Sequence, residues 1–347
     1  MSKGRTLALP FRNSVHFSQE EAYALMRKML SGEVDTDQIA QTLHYLRRKG
    51  ETIGEIVGFA SAIRDMSHPV LPPEDREPFL DTCGTGGDGT HTFNISTAAA
   101  FVAAGAGLQV AKHGNRKISS QCGSADVLEQ LGIPTTLTAG QIGECIRQIG
   151  IGFLYAPSLH PGMAHVQDAR RALMGRTVFN LLGPLTNPVR ARVQLIGAYS
   201  VRAAEMLAQA AARLEIERAF VVHGADGLDE ITTTGLTTVF QVEEGRVQKG
   251  QWTPADFGVS PSSMDDLSGG DVATNAQIVQ AILNGEIGPK RDIVVVNAAA
   301  ALLCARKTDD LRTAVALAAE SIDSGAARGK LEQLAEYVKE LPANEGL

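Results

Sequence analysis

Asp81-Thr82-Cys83-Gly84-Thr85-Gly86-Gly87-Asp88-Gly89 decides how the rest of the chain is read. Phe79-Leu80 lead into it as the end of an apolar strand, and Ser96-Thr97 then open an Ala-rich helix from Ala98 to Ala106. A glycine loop between a strand and a helix lets backbone N–H groups crowd an anion, and the helix N-terminus adds partial positive charge. The stretch therefore reads as a phosphate cradle.

Three known loop types compete for it. Gly84, Gly86 and Gly89 satisfy G-x-G-x-x-G, but a dinucleotide fingerprint also needs an acid about 20 residues on. The basic run Lys112-His113-Gly114-Asn115-Arg116-Lys117 occupies that region instead. A Walker A loop fails as well, because Gly89 is followed by Thr90. What remains is a phosphate loop with a carboxylate, Asp88, among its glycines, which suits a metal-chelated or sugar-linked pyrophosphate. A β-α turn without chemical consequence is the bland alternative, and the downstream stretches argue against it.

Upstream, residues 1–66 read as three amphipathic helices. Ser18 with Glu21 forms a capping box ahead of Tyr23, Met26 and Leu30; Asp35 or Thr36 caps the run Ile39, Leu43, Leu46, stopped by Gly50; Thr52 with Glu55 forms a second box ahead of Ile56, Phe59, Ile63 and Met66. Three short helices leave apolar surface uncovered, so they should pack on another domain, another subunit, or both. Ser67 to Pro78 carries four prolines and marks a boundary.

Downstream, strands and helices alternate, the pattern of a mainly parallel α/β sheet. Strands are expected near 78–82, 108–112, 152–156, 194–199, 218–223 and 292–296, with helices near 97–107, 124–132, 140–149, 201–214, 272–284 and 310–323. A helical insertion from His160 to Pro188 interrupts the alternation, and Thr237 to Trp252, with Glu244-Gly245 at its centre, reads as an edge hairpin.

Composition narrows the class. The chain has 347 residues, 44% apolar and 20% charged, with a net charge of −7. That length is one large domain or two ordinary ones, and the charge makes neither nucleic acid nor an anionic membrane an expected partner. Met1 to Glu21 shows no apolar h-region, and Cys83, Cys122, Cys145 and Cys304 have no C-x-x-C spacing. A cytoplasmic protein with reduced thiols is expected.

Further stretches could carry chemistry at the carboxyl edge of such a sheet. Asn94-Ile95-Ser96-Thr97 lies where the cradle helix begins; helix capping is its favoured local reading, and a Ser hydroxyl there could also meet Mg²⁺. The basic run follows the second strand, and Ser119-Ser120-Gln121-Cys122-Gly123-Ser124 leads into another helix N-terminus. His223-Gly224-Ala225-Asp226-Gly227-Leu228-Asp229-Glu230 follows a buried strand, and adjacent acids there are tolerable on a solvated turn or around a hard cation.

Taken in series, Gly84-Thr85-Gly86-Gly87-Asp88, Asn94-x-Ser96-Thr97, Lys112-His113-Gly114-Asn115-Arg116, Gly123-Ser124-Ala125-Asp126-Val127-Leu128-Glu129, Arg176-Thr177-Val178-Phe179-Asn180 with Gly183-Pro184-Leu185-Thr186-Asn187-Pro188, and the Asp229-Glu230 stretch resemble the motif series of the anthranilate phosphoribosyltransferase family. One departure stands out: the family usually reads Leu-Gly-x-Arg-Thr where this chain has Leu173-Met174-Gly175-Arg176-Thr177. A displaced glycine there could reshape the wall of the aromatic-acid site.

The resemblance implies a nucleoside phosphorylase/phosphoribosyltransferase-like plan. Residues 1–66 and the 160–188 insertion would make a small helical domain, 67–347 an α/β domain, and the chain would be a homodimer through its helices. It implies transfer of the phosphoribosyl group of phosphoribosyl pyrophosphate to the amino nitrogen of anthranilate, in tryptophan biosynthesis. Gly84, Gly87, Asp88, Thr92, Asn94, Ile95, Ser96, Thr97, Lys112, His113, Gly114, Asn115, Arg116 and Ser124 would hold the donor, and Ser96, Asp229 and Glu230 the Mg²⁺. Gly84, Asn115 and Arg170 would hold anthranilate; the family's acceptor arginine lies six residues before the Arg-Thr arginine, here Arg176. No general base is evident, and His113 is a candidate for orientation or proton relay. A pyrimidine nucleoside phosphorylase is the rival enzyme, and a non-catalytic nucleic-acid-binding relative the rival of another class.

Overall fold

The computed structural model describes residues 16–72, 78–116 and 122–341. Lys117, Ser119, Ser120 and Gln121 of the stretches above, and residues 1–15, lie outside them.

The three N-terminal helices are α1 (Gln19–Leu30), α2 (Thr36–Lys49) and α3 (Ile53–Asp65). Both capping boxes form, and Asp35, rather than Thr36, caps α2 by accepting from Gln38 N. Their apolar stripes find cover within the chain. Ile39, Leu43, Ile56 and Phe59 are buried in one core with Val166 and Phe179 of the insertion and Leu207 of the helix Val201–Arg213, which backs the sheet.

Seven strands form one sheet: β1 (Leu80–Asp81), β2 (Val110–Gly114), β3 (Ile151–Tyr155), β4 (Val193–Gly197), β5 (Arg218–Gly224), β6 (Thr237–Glu243) and β7 (Arg246–Trp252). Their order is β3-β2-β1-β4-β5-β6-β7, parallel through β5 and antiparallel at β6 and β7. The hairpin falls at the sheet's edge as expected, turning at Glu244-Gly245 with both residues at positive φ. The strand order reverses between β1 and β4, and such a switch point opens a crevice beyond the strands' carboxyl ends.

The strand expected at 292–296 is a helix, Pro289–Cys304. Ile293-Val294-Val295-Val296 is β-branched throughout, and an apolar run buried on every side has no period to separate strand from helix. Pro289 at the helix start and the following Ala298 to Ala301 settle it, since sixteen residues suit a helix and not a strand. This helix packs on the cradle helix Ile95–Gly105, which is buried on nearly all sides and is therefore apolar on all sides. A further helix, Ala326–Glu340, was not among the sequence expectations and packs on the same cradle helix. Among the described residues no helix is long and apolar enough to cross a membrane.

Candidate active site

A cavity of about 340 Å³ lies at the switch point, beyond the carboxyl ends of β1, β2 and β5. Every residue that the sequence nominates for substrate or metal reaches its wall, from Gly84 in the glycine loop through Lys112 and Ser124 to Arg170, Asp229 and Glu230.

The glycine loop leaves β1 with Gly86, Gly87 and Gly89 at φ of +63°, +72° and +77°. A Cβ on Gly86 would touch nothing, so backbone conformation rather than crowding requires glycine there. Gly84 is the opposite case: a Cβ would lie 2.7 Å from Asp229 Oδ2. The far end of the loop is tied down by a bridge from Thr92 to Ser268 and by Asn275 Nδ2, which donates to Asn94 Oδ1 at 3.2 Å. Asp88 accepts from the hydroxyl of Thr90 at 2.5 Å.

Helix capping by Asn94 or Ser96, the favoured local reading of that stretch, does not occur. Asn94 is the N-cap residue but makes no side-chain cap bond, and Ser96 N donates to Glu230 Oε1 at 3.2 Å. A carboxylate delivered from beyond β5 thus meets the helix N-terminus, where negative charge is favoured. Its neighbour Asp229 accepts from Gly86 N at 2.8 Å. Burial, then the Asp88 carboxylate, hold Asp229 well above the ordinary carboxylate range; burial, then Asp229, do the same to Glu230. Two adjacent half-buried acids on the cavity wall, with Ser96 lining the same wall, form a hard oxygen donor set, which fits Mg²⁺.

Lys112 is buried, and its Nζ donates to Thr82 O at 2.8 Å and to Ser96 Oγ at 3.3 Å, so its charge faces the cradle from β2. Next to it His113 is also buried, and neither ring nitrogen has a well-formed partner among the described residues. Burial, and then His160 stacked edge-on at 5.3 Å, push its pKa down to about 3, so the ring is neutral at working pH. His113 N donates to Asp81 Oδ1 at 3.0 Å, and Asn187 Nδ2 donates to Asp81 Oδ2 at 2.8 Å. Burial lifts Asp81 to about 6.

Gly114 makes room for the second helix N-terminus, since a Cβ there would lie 2.3 Å from Ser124 Oγ. The carbonyl of Asn115 accepts from Ala125 N at 3.2 Å and from Ser124 Oγ at 3.3 Å. The guanidinium of Arg116 is committed to Glu129 at 2.5 Å and Asp126 at 3.3 Å.

The opposite wall comes from the helical insertion. Arg170, on the helix Ala164–Ala172, sits half-buried with Cζ 4.8 Å from the centre of the Phe179 ring, and burial lowers its pKa. Arg171 is exposed, pairs with Asp168 at 3.4 Å and does not reach the cavity. Met174, at the position where the family has glycine, takes φ +41° and leaves its side chain 82% exposed. The departure therefore strains the backbone at the end of that helix, and its side chain does not line the cavity.

Three contributors escaped the sequence reading. Arg176 Nη2 donates to Gly87 O at 2.5 Å while its Cζ lies 4.1 Å above the Tyr199 ring, so the insertion is clipped to the glycine loop. Gly197 ends β4 under the acid pair, where a Cβ would lie 1.6 Å from Asp229 O. His160 completes the aromatic corner beside His113. Asp81 and Asn187 stood inside quoted stretches and could have been suspected, whereas a single glycine at a strand end carries no signal.

The chain is similar to known proteins along nearly its whole length. The model of the glycosyl transferase family, a/b domain, matches residues 76–328, and that of its helical bundle domain matches residues 11–67. An anthranilate phosphoribosyltransferase of Solibacter usitatus is 55% identical over 93% of this chain and 95% of its own length, and one of Desulforudis audaxviator is 52% identical over 92% of each. The crystal structure of the Thermus thermophilus enzyme of that name superposes with a TM-score of 0.89 at 41% identity, covering 94% of this chain and 97% of that one. The Saccharomyces cerevisiae enzyme, solved in complex with PRPP and Mg, gives 0.85 at 30% identity over 93% and 94%. With two domain models in tandem and identities above one half along nearly the whole length, the chain belongs to the anthranilate phosphoribosyltransferase family.

Proposed function

We infer that the chain transfers the phosphoribosyl group of phosphoribosyl pyrophosphate to the amino nitrogen of anthranilate, releasing pyrophosphate, in tryptophan biosynthesis. The observation that carries this reading is one cavity walled on one side by the glycine loop, Lys112 and the acid pair, and on another by Arg170. The first set suits a pyrophosphate donor, the second a small aromatic carboxylate.

The reaction breaks the C1–O bond of the donor and forms a C1–N bond, and the departing pyrophosphate takes the electron pair. Anthranilate nitrogen is already a nucleophile, so the protein's part is to hold both substrates in line and to stabilise charge on the leaving group. Backbone amides of Gly84 to Gly87 and the Lys112 ammonium would meet the pyrophosphate; Asp88, Thr92, Asn94, Ile95, Thr97 and Ser124 would complete the donor's enclosure, together with the backbone around Gly114 to Arg116. Mg²⁺, when bound at Ser96, Asp229 and Glu230, supplies charge neutralisation for the leaving group. Arg170 would meet the acceptor carboxylate, with Asn115 and Gly84 beside its ring. His113, neutral in this pocket, can orient the acceptor without carrying charge.

Residues 1–66 with 160–188 form the helical unit on this reading, and 67–347 the α/β unit. The homodimer rests on the resemblance alone, because the large apolar side chains of α1 to α3 are covered within the chain; sedimentation at micromolar concentration tests it. Four free cysteines suit a cytoplasmic location.

Loss of anthranilate fluorescence that requires both phosphoribosyl pyrophosphate and Mg²⁺ tests the reaction. Phosphate-dependent cleavage of thymidine or uridine in its place would favour the nucleoside phosphorylase. A test of the cradle lies in Gly86→Val and Gly87→Val, which place β-branched residues at φ near +60° to +70°. Each disfavours the native loop by about 1–3 kcal/mol, so donor affinity by calorimetry should fall roughly 5- to 100-fold. Unchanged affinity would remove the loop from the donor site.

A further inference from the structure

Asn297 lies within the helix Pro289–Cys304, fully buried in the apolar core and outside the cavity wall. Its Oδ1 accepts from Ile231 N at 3.0 Å, and its Nδ2 donates to Ile231 O and to Ile293 O, each at 2.9 Å. One side-chain amide thus answers both polar groups of one residue, as a neighbouring strand would, although residues 225–236 form no strand. A buried amide persists in such a core only where its hydrogen bonds are made, and the amide hydrogens and oxygen of Asn297 are all used this way.

Ile231 directly follows Glu230, and its N–H lies in the rigid peptide plane that carries the Glu230 carbonyl. The preceding side of the acid pair is fixed by Gly197 beneath Asp229 and by Asp226, which accepts from Leu228 N at 3.1 Å. Asp226 also accepts from the Thr232 and Thr234 hydroxyls at 2.5 Å and so closes the loop beyond the pair, leaving Ile231, next to Glu230, to Asn297. Adjacent carboxylates repel, and an irregular loop would let them turn apart. We propose that Asn297 is a positioning residue for the divalent cation, holding Glu230 beside Asp229 through the backbone of Ile231 so that both acids face one ion. This rests on the assignment of Asp229 and Glu230 to Mg²⁺.

The test measures inorganic pyrophosphate binding by calorimetry in excess Mg²⁺ and in chelator, and takes the ratio of the two Kd values. Asn297→Leu removes all three bonds; Asn297→Asp keeps the shape and the acceptor for Ile231 N but loses the donation. Ser321→Ala, which removes a buried hydroxyl bond to Val102 O, controls for general loss of stability. The Mg²⁺-dependent ratio should fall roughly 10-fold or more in either folded Asn297 variant and stay within about twofold in Ser321→Ala, the size typical of partners that orient metal ligands. An unchanged ratio in a folded Asn297 variant overturns the proposal. In the unaltered chain the Ile231 amide should exchange slowly before any Mg²⁺ is added, and fast exchange there overturns it without recourse to a variant. If the unaltered chain shows no Mg²⁺-dependent ratio, or Asp229→Asn with Glu230→Gln does not lower it, the metal assignment itself fails; a ratio lost in that double variant but kept in the Asn297 variants sinks the positioning role alone.

Discussion

Asp229→Asn combined with Glu230→Gln should lower turnover about 1,000-fold or more while raising the thermal stability of the metal-free protein. The loss follows from the chemistry of the leaving group: a pyrophosphate departing without a bound cation forgoes several kcal/mol of charge stabilisation, and each 1.36 kcal/mol is about tenfold in rate. The gain in stability follows from the same carboxylates. Both have folded-state pKa values raised by burial and by neighbouring acids. A group whose pKa is raised on folding favours the fold below its unfolded pKa and loses that contribution as pH climbs to the folded value. The metal-free wild type should therefore lose stability as pH rises above the ordinary carboxylate range toward these raised values, and the double variant should lose less. Added Mg²⁺ with pyrophosphate should restore the wild type and leave the variant unmoved. Turnover within tenfold of wild type would remove the acid pair from the metal site. A less stable metal-free variant would show that their hydrogen bonds to Gly86 N and Ser96 N outweigh their repulsion.

Arg170→Ala should raise the KM for anthranilate roughly 10- to 100-fold, the worth of a charge-assisted hydrogen bond of about 1.5–3 kcal/mol, and leave donor affinity within a few-fold. Arg171→Ala should change either constant by less than about twofold, since its guanidinium is exposed and paired with Asp168 outside the cavity. The two residues are neighbours in sequence but about 100° apart around the helix. Arg170 is held over Phe179 and partly stripped of water, which keeps the guanidinium ready for a carboxylate. Arg170→Lys keeps the charge without the fork and should recover less than half of the lost binding free energy. A larger defect in Arg171→Ala would mean that the acceptor approaches from the solvent side of the helix. Normal anthranilate kinetics in both variants would place the acceptor elsewhere.

Much of this site was legible in the sequence because its parts are local. A glycine loop between a strand and a helix, a basic turn after the next strand and an acid pair after another are each set by neighbours in the chain, and a parallel sheet must collect such turns at one edge. The capping boxes of α1 and α3 and the hairpin turn at Glu244-Gly245 were readable for the same reason: their bonds run over three or four residues. Contacts between distant segments were decided only by the tertiary structure. Glu230, from beyond β5, takes the place at the cradle helix that Asn94 was expected to fill; Gly197 and Asn297 hold the acid pair from β4 and from a helix read as a strand; and Arg176 reaches Gly87 across 89 residues. Ile293 to Val296 misled because an apolar run surrounded on all sides keeps no face to water, and with no face there is no period to read.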